Sequence, residues 1–206
     1  MKILITSGGT KVDIDSVRYI GNMSSGRYGA ELAYEFCKDA SRHIQFLYAK
    51  DSVHPGKIAD DNDDYLYDSS HAQFNDYEYK TLDTYIEKAK SLAPTCDIII
   101  SCAAVSDYTV VPQEGKISSD LEEYTITLKK APKVLPLFKQ INPAAMVVGF
   151  KLLISPTYDE IAKAVRKQLN NGANLVAFND LTQIKKGNNT RLLFDKDMNY
   201  KVIKTT

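Results

Sequence analysis

A doubly wound, mostly parallel α/β sheet with helices on both faces, Rossmann-like in its winding, is the fold class that three observations predict. Short apolar and β-branched runs recur along the 206 residues at 3–6, 44–48, 98–102, 146–150 and 175–178. Segments with helical spacing of apolar residues lie between them, at 25–38, 81–92, 132–140 and 157–170. The strand runs are nearly continuously apolar, as strands covered on both faces are, and this calls for helices on each side.

The elements follow in chain order. The first run ends at Thr6-Ser7-Gly8-Gly9-Thr10, where nucleotide-binding folds place a phosphate turn. Gly21-Asn22-Met23-Ser24-Ser25-Gly26 then opens the first helix. Two hydroxyls and a glycine at a helix entrance favour an anion, because the first turn has unpaired N–H groups and the positive dipole end. After the second run, residues 51–76 are rich in Asp, Ser, Asn and Tyr without a clear period. They read as a surface excursion ahead of a short strand near 77–80. The helix over 157–170 stops before Gly172, a C-terminal cap signal. Residues 124–128, 191–194 and 201–203 alternate more strictly, and no helix separates the last two, so a small antiparallel hairpin or subsheet is expected.

Composition narrows the function. Lys plus Arg and Asp plus Glu are equal at 26 each, so no global field draws the chain to nucleic acid or to a membrane surface. Anion binding has to be local. The length fits one domain over 1–206. Met1-Lys2-Ile3-Leu4-Ile5 runs directly into a strand with no signal-peptide layout, and no apolar run reaches bilayer length, so a cytoplasmic protein is expected. Cys37, Cys96 and Cys102 read as reduced thiols, and His43, His54 and His71 have no ligand-like spacing, so no metal site from side chains is expected.

Motif chemistry concentrates at the strand ends. The Gly8-Gly9 turn lacks the third glycine of the dinucleotide fingerprint, and no P-loop pattern occurs. The turn is either a ligand loop or a plain strand-end turn. Tyr34 and Lys38 match a Tyr-x-x-x-Lys pair but sit in the first helix, away from the carboxyl ends of the strands, and are read as packing. Ser101-Cys102-Ala103-Ala104-Val105-Ser106-Asp107-Tyr108 gives a strand end, small residues and an acid that can meet a ribose, a metal or an amide, or merely cap a turn. Lys116, in Pro112-Gln113-Glu114-Gly115-Lys116-Ile117-Ser118-Ser119, can stabilise charge on a polyphosphate; alone it is an ordinary surface lysine.

Taken together these residues resemble phosphopantothenate-cysteine ligases. The resemblance is carried by Ile5-Thr6-Ser7-Gly8-Gly9-Thr10, by Asp15-Ser16-Val17-Arg18-Tyr19-Ile20-Gly21-Asn22-Met23-Ser24-Ser25-Gly26, and by Ala103-Ala104-Val105-Ser106-Asp107-Tyr108. Lys116-Ile117-Ser118-Ser119, Val148-Gly149-Phe150-Lys151 and Ala177-Phe178-Asn179-Asp180 follow in order. Phe150-Lys151-Leu152-Leu153 and Ser118-Ser119 look most like the monofunctional bacterial type, without a fused flavin-dependent decarboxylase and therefore without flavin.

The resemblance implies coenzyme A biosynthesis. The carboxylate of 4'-phosphopantothenate attacks the α-phosphate of CTP, or of ATP, with Mg²⁺ on the triphosphate; the acyl-cytidylate then passes to the amine of cysteine. By the same resemblance Asn22 and Lys116 are catalytic, one in aminolysis and the other in activation. Gly8, Gly9, Ser101, Cys102, Ala103, Asp107, Lys116, Ala131, Pro132, Lys133, Val134, Phe150 and Lys167 are expected on the nucleotide. Asp15, Arg18, Asn22, Ser24, Ser25, Gly26 and Ala104 are expected on the substrate side, some of them across a homodimer interface. Two departures stand out. Asn171 occupies a position where many relatives have lysine, and the chain stops at Lys204-Thr205-Thr206, where relatives have a further helix. A nicotinamide oxidoreductase with a degenerate glycine loop and a non-catalytic nucleotide-binding module are the competing readings.

Overall fold

A computed structural model describes residues 1–58 and 71–204; of the 51–76 excursion, residues 59–70 lie outside the described part. The main sheet begins with β1 (Lys2–Ser7), followed by the short strands β2 (Lys11–Asp13) and β3 (Tyr19–Gly21) and by helix α1 (Arg27–Cys37). Next come β4 (His43–Ala49), a 3-10 turn at Pro55–Ile58, β5 (Gln73–Tyr79), α2 (Leu82–Leu92) and β6 (Ile98–Ser101). Then follow β7 (Tyr108–Thr109), β8 (Lys129–Lys130), α3 (Val134–Ile141), β9 (Met146–Leu153), α4 (Tyr158–Asn170) and β10 (Leu175–Asp180). The short α5 (Leu181–Lys185) and the strands β11 (Thr190–Phe194) and β12 (Tyr200–Lys204) complete the described chain.

Eight strands form one sheet in the order β12-β11-β10-β9-β6-β1-β4-β5. The six strands from β5 to β10 are parallel, β11 joins antiparallel to β10, and β12 joins antiparallel to β11. The doubly wound fold is therefore as the sequence predicts, and so is the antiparallel hairpin of the tail, β11 with β12, which extends the main sheet; two details differ. Residues 124–128 form no strand: Tyr124 and Leu128 stay exposed, and the pairing in this region falls to β8 against β7. The strand expected near 77–80 is the last part of the seven-residue β5.

Alternation along the central strands builds two cores. Leu4, Leu47, Ile99 and Val147 face α2 and α3 with Tyr79, Tyr85 and Phe138, whereas Ile3, Ile5, Ile44 and Phe46 face α1 with Ala33 and Phe74. A third cluster, Val165, Val176, Phe178 and Phe194, seats α4 on the widened side of the sheet. Helices α2 and α4 both start in capping boxes, Thr81 with Thr84 and Thr157 with Glu160, which satisfy N–H groups that have no partner inside the helix. The helices run back from the carboxyl ends of the strands, so the loops that follow β1, β6 and β9 gather on one rim.

Candidate active site

Strands β1 and β6 are neighbours, yet the chain leaves β1 toward β4 and leaves β6 toward β9. Such a switch in winding direction opens a crevice above the strand ends. Here the two rim loops are laced together. The Ala104 N–H donates to the Gly8 carbonyl at 2.8 Å, and the Thr10 N–H donates to the Ala104 carbonyl at 3.1 Å. Thr10 Oγ1 accepts from the Ser106 N–H at 2.9 Å and lies 2.9 Å from Ser106 Oγ. Gly8 has φ 86°, and a Cβ there would come within 2.6 Å of the Ala49 Cβ. At Gly9 a Cβ would collide with the Asn22 carbonyl oxygen. Both glycines are thus required by backbone approach. Two buried tyrosines support the rim from below: Tyr79 donates to the Ser7 carbonyl at 2.8 Å, and Tyr85 reaches Thr6 Oγ1, which also accepts the Ala103 N–H. Burial pushes the Tyr85 hydroxyl up to about 12, so it stays a donor.

The β2–β3 hairpin rises from this rim and delivers Asn22. Its N–H donates to the Thr10 carbonyl at 3.3 Å, and its Nδ2 donates to the Ala104 carbonyl at 2.7 Å. The residue is exposed, and its Oδ1 has acceptor capacity. A left-handed backbone is not the reason for asparagine here, since among the described non-glycine residues only Ser155 and Met198 have positive φ.

At the other end of the hairpin, Asp15 is buried, with a side chain that has no exposed surface. Its Oδ1 accepts the Val17 and Arg18 N–H groups at 2.8 and 2.7 Å, and its Oδ2 accepts the Ile117 N–H at 3.0 Å and the Arg18 guanidinium. Burial pushes the carboxyl up, but the N–H groups of Ile117, Val17 and Arg18 and the guanidinium outweigh it and hold it at about 2. Exposed Lys116 lies between residues bonded to this hairpin: the Ser16 N–H donates to the Gly115 carbonyl at 3.0 Å, and Arg18 reaches the Ile117 carbonyl at 3.3 Å.

The entrance of α1 packs directly on β1. Gly26 adopts φ 71° as the N-terminal cap, Ser7 Oγ donates to its carbonyl at 2.8 Å, and a Cβ at Gly29 would lie 2.5 Å from Ser7 Oγ. Gly29 thus supplies the close helix-strand contact that the fingerprint's third glycine makes elsewhere. Ser24 is half-buried and Ser25 exposed, the latter accepting from the Arg27 N–H at 3.4 Å.

Asp107 lies on the rim beyond β6, and its ion pair with Lys133 lowers its carboxyl, with Lys151 and Lys167 adding to the effect against burial. Lys133 thus pairs directly with this acid, Lys151 and Lys167 act on it through charge alone, and the Ala131 N–H donates to the Asp107 carbonyl at 2.9 Å just before Pro132 and Val134 at the start of α3. Lys151 was not among the expected site residues. The signal for it was period two on β9: Phe150 points to the α1 face, where its ring lies 5.5 Å from Tyr28, so Lys151 projects to the opposite one. The buried Arg191 stacks over Tyr28 with Cζ 3.4 Å from the ring centre, and it too was missed. Asn171 is the C-terminal cap of α4.

Ser101 and Cys102 sit at the end of β6, and burial pushes the Cys102 thiol up, which leaves it unreactive. Tyr34 and Lys38 are engaged with each other and with Glu35 in α1. Among the described residues no group of three His, Cys, Asp or Glu could hold a metal ion, and no helix is long and apolar enough to cross a membrane.

Comparison with known proteins agrees with this architecture. The pattern of the DNA/pantothenate metabolism flavoprotein C-terminal domain matches residues 1–59 and 67–206. The coenzyme A biosynthesis bifunctional protein CoaBC of Methanocaldococcus jannaschii is 34% identical over 183 residues, which are 88% of this chain and 41% of that protein. A phosphopantothenate–cysteine ligase of Mus musculus is 32% identical over 200 residues, 75% of this chain and 64% of that one. The chain thus spans about half the length of the curated relatives it matches. The crystal structure of the DNA/pantothenate metabolism flavoprotein from Streptococcus pneumoniae superposes with a TM-score of 0.83 at 30% identity, covering 100% of this chain and 93% of that one.

Proposed function

The chain belongs to the DNA/pantothenate metabolism flavoprotein C-terminal domain family, and on that premise we propose that it is a ligase domain joining 4'-phosphopantothenate to L-cysteine. The ligation runs through an acyl-nucleotidylate and releases pyrophosphate and then the nucleoside monophosphate. The observation that carries this reading is the switch-point rim, on which the exposed Asn22 amide and the Asp107 lysine cluster belong to adjacent loops.

Activation brings an anionic carboxylate to an anionic triphosphate, so positive charge has to be supplied locally. Lys133, Lys151 and Lys167 provide it around Asp107, and Lys116 adds a further charge from the loop above. Gly8, Gly9, Ser101, Cys102 and Ala103 line the nucleotide side, with Ala131, Pro132 and Val134 at the entrance of α3, and Phe150 lies under the base. CTP is the proposed co-substrate, with ATP as the alternative, and magnesium travels on its phosphates as part of that co-substrate. No flavin is needed. On the substrate side stand Arg18, Ser24, Ser25, Gly26, Ala104 and Asn22, whose amide holds the acyl carbonyl while the cysteine amine attacks. Because this amide is already oriented by Ala104, little ordering is lost in the reaction.

A cytoplasmic homodimer completes the proposal. Val17, Tyr19, Ile20 and Met23 of the hairpin region are all exposed, Met23 fully so, and a second copy would cover them. The test is a coupled assay with purified protein. Pyrophosphate release from CTP that needs phosphopantothenate, and CMP release that needs cysteine as well, supports the reading. Nucleotide binding without either release makes the chain a binding module, and reduction of a nicotinamide in its place makes it an oxidoreductase.

A further inference from the structure

We propose that Asp15 is a positioning residue for Lys116, acting through the backbone on either side of that lysine; this rests on the role given to Lys116 above. A carboxylate offers about four acceptor sites. Those of Asp15 are met by four donors, the Val17, Arg18 and Ile117 N–H groups and the Arg18 guanidinium, and its side chain has no exposed surface. No lone pair is left for a substrate. What the carboxylate does is fix one piece of chain to another 102 positions away. Oδ1 closes the hairpin turn on itself, and Oδ2 holds the Ile117 N–H.

Three further bonds run between the same two segments. The Ser16 N–H holds the Gly115 carbonyl at 3.0 Å, Arg18 holds the Ile117 carbonyl at 3.3 Å, and the Gln113 N–H holds the Ile14 carbonyl at 2.9 Å. Lys116 is therefore gripped by the residue before it and the residue after it while its own side chain stays in solvent. Gly115 has φ 75°, and a Cβ on it would meet nothing within 4 Å, so at this residue the grip comes from the hydrogen bond and not from packing. A buried, charged acceptor makes stronger hydrogen bonds than a neutral one, which is why an acid suits this position.

The experiment uses the full chain. In Asp15→Asn one oxygen becomes an N–H donor facing the Ile117 N–H; in Asp15→Ser the hydroxyl still serves the turn but is too short for Ile117. In both variants trypsin cleavage after Lys116 is expected to accelerate about tenfold or more, because cleavage follows local opening. Pyrophosphate release is expected to slow about a hundredfold, the cost of an ångström-scale misplacement, with KM for cysteine unchanged. In a Lys116→Ala background the same changes are expected to slow release less than about threefold, since groups that act as a unit are not additive. A folded variant with unchanged cleavage overturns the proposal, and so does a full rate loss on top of Lys116→Ala, which would put Asp15 to work independently. If the unmutated chain releases no pyrophosphate, the ligase reading fails, and the trypsin measurement still decides whether Asp15 holds the loop.

Discussion

Asn22 Nδ2 donates to the Ala104 carbonyl at 2.7 Å, so a residue that leaves the β2–β3 hairpin is tied to the loop that follows β6. The bond uses one amide proton and leaves the Asn22 oxygen and the second proton for a ligand.

Asn22→Asp replaces that donor with a carboxylate aimed at a carbonyl. The expected outcome is a variant that still makes the acyl-nucleotidylate and fails to pass it to cysteine, so the intermediate accumulates. Mass spectrometry of quenched single-turnover mixtures checks this; conversion at the unmutated rate removes Asn22 from the transfer step.

Lys116→Ala removes an exposed charge with little packing. Pyrophosphate release is expected to fall about a hundredfold, in line with loss of one charge-stabilising contact of roughly 3 kcal/mol, with the thermal midpoint unchanged. Stopped-flow pyrophosphate detection and a thermal melt together give the answer.

Gly29→Ala inserts a methyl 2.5 Å from Ser7 Oγ and 2.7 Å from Ser7 Cβ. Helix α1 has to move off β1, at a cost of about 1–3 kcal/mol despite the better helix propensity of alanine. Urea unfolding measures it; a gain in stability would show that the helix was not pressed against the strand.

Acid stability depends on Asp15. Its carboxyl is held at about 2 in the folded chain and titrates near ~3.9 when unfolded, so the unfolded chain takes up the proton first as pH falls. The contribution is complete above pH ~4 and is lost as pH drops toward 2. The difference in urea midpoint between the unmutated chain and Asp15→Asn is expected to be constant from pH 7 to 5 and to shrink below pH 4. A difference that grows with acid contradicts this.

The parallel strands and the helices between them were legible because burial on both faces leaves long apolar runs and because a stop signal such as Gly172 after the 157–170 helix sits in plain sequence. Strands β2 and β3 were not, as three residues each are too few to show a period. Alternation at 124–128 misled, because an exposed Tyr124 and Leu128 give the same pattern as half a strand. The joining of β11 to β10 is a choice of partner, and a one-dimensional period carries no partner. At the rim, the need for glycine in the turn after β1 could be read from residue type. The grip of Asp15 on a segment 102 residues away could not, nor could the convergence of Lys151 with Lys133 and Lys167, since both depend on which loops the winding brings together.

One consequence of the β2–β3 hairpin concerns how this rim can change. Asn22 emerges from its end, and the 113–117 segment is bonded to its turn, so one small lever carries the group proposed for transfer and braces the group proposed for activation. A tilt of that lever moves both at once. A small molecule wedged between the turn and Gly115 would therefore displace both groups together, an effect that no single substitution at Asn22 or Lys116 reproduces.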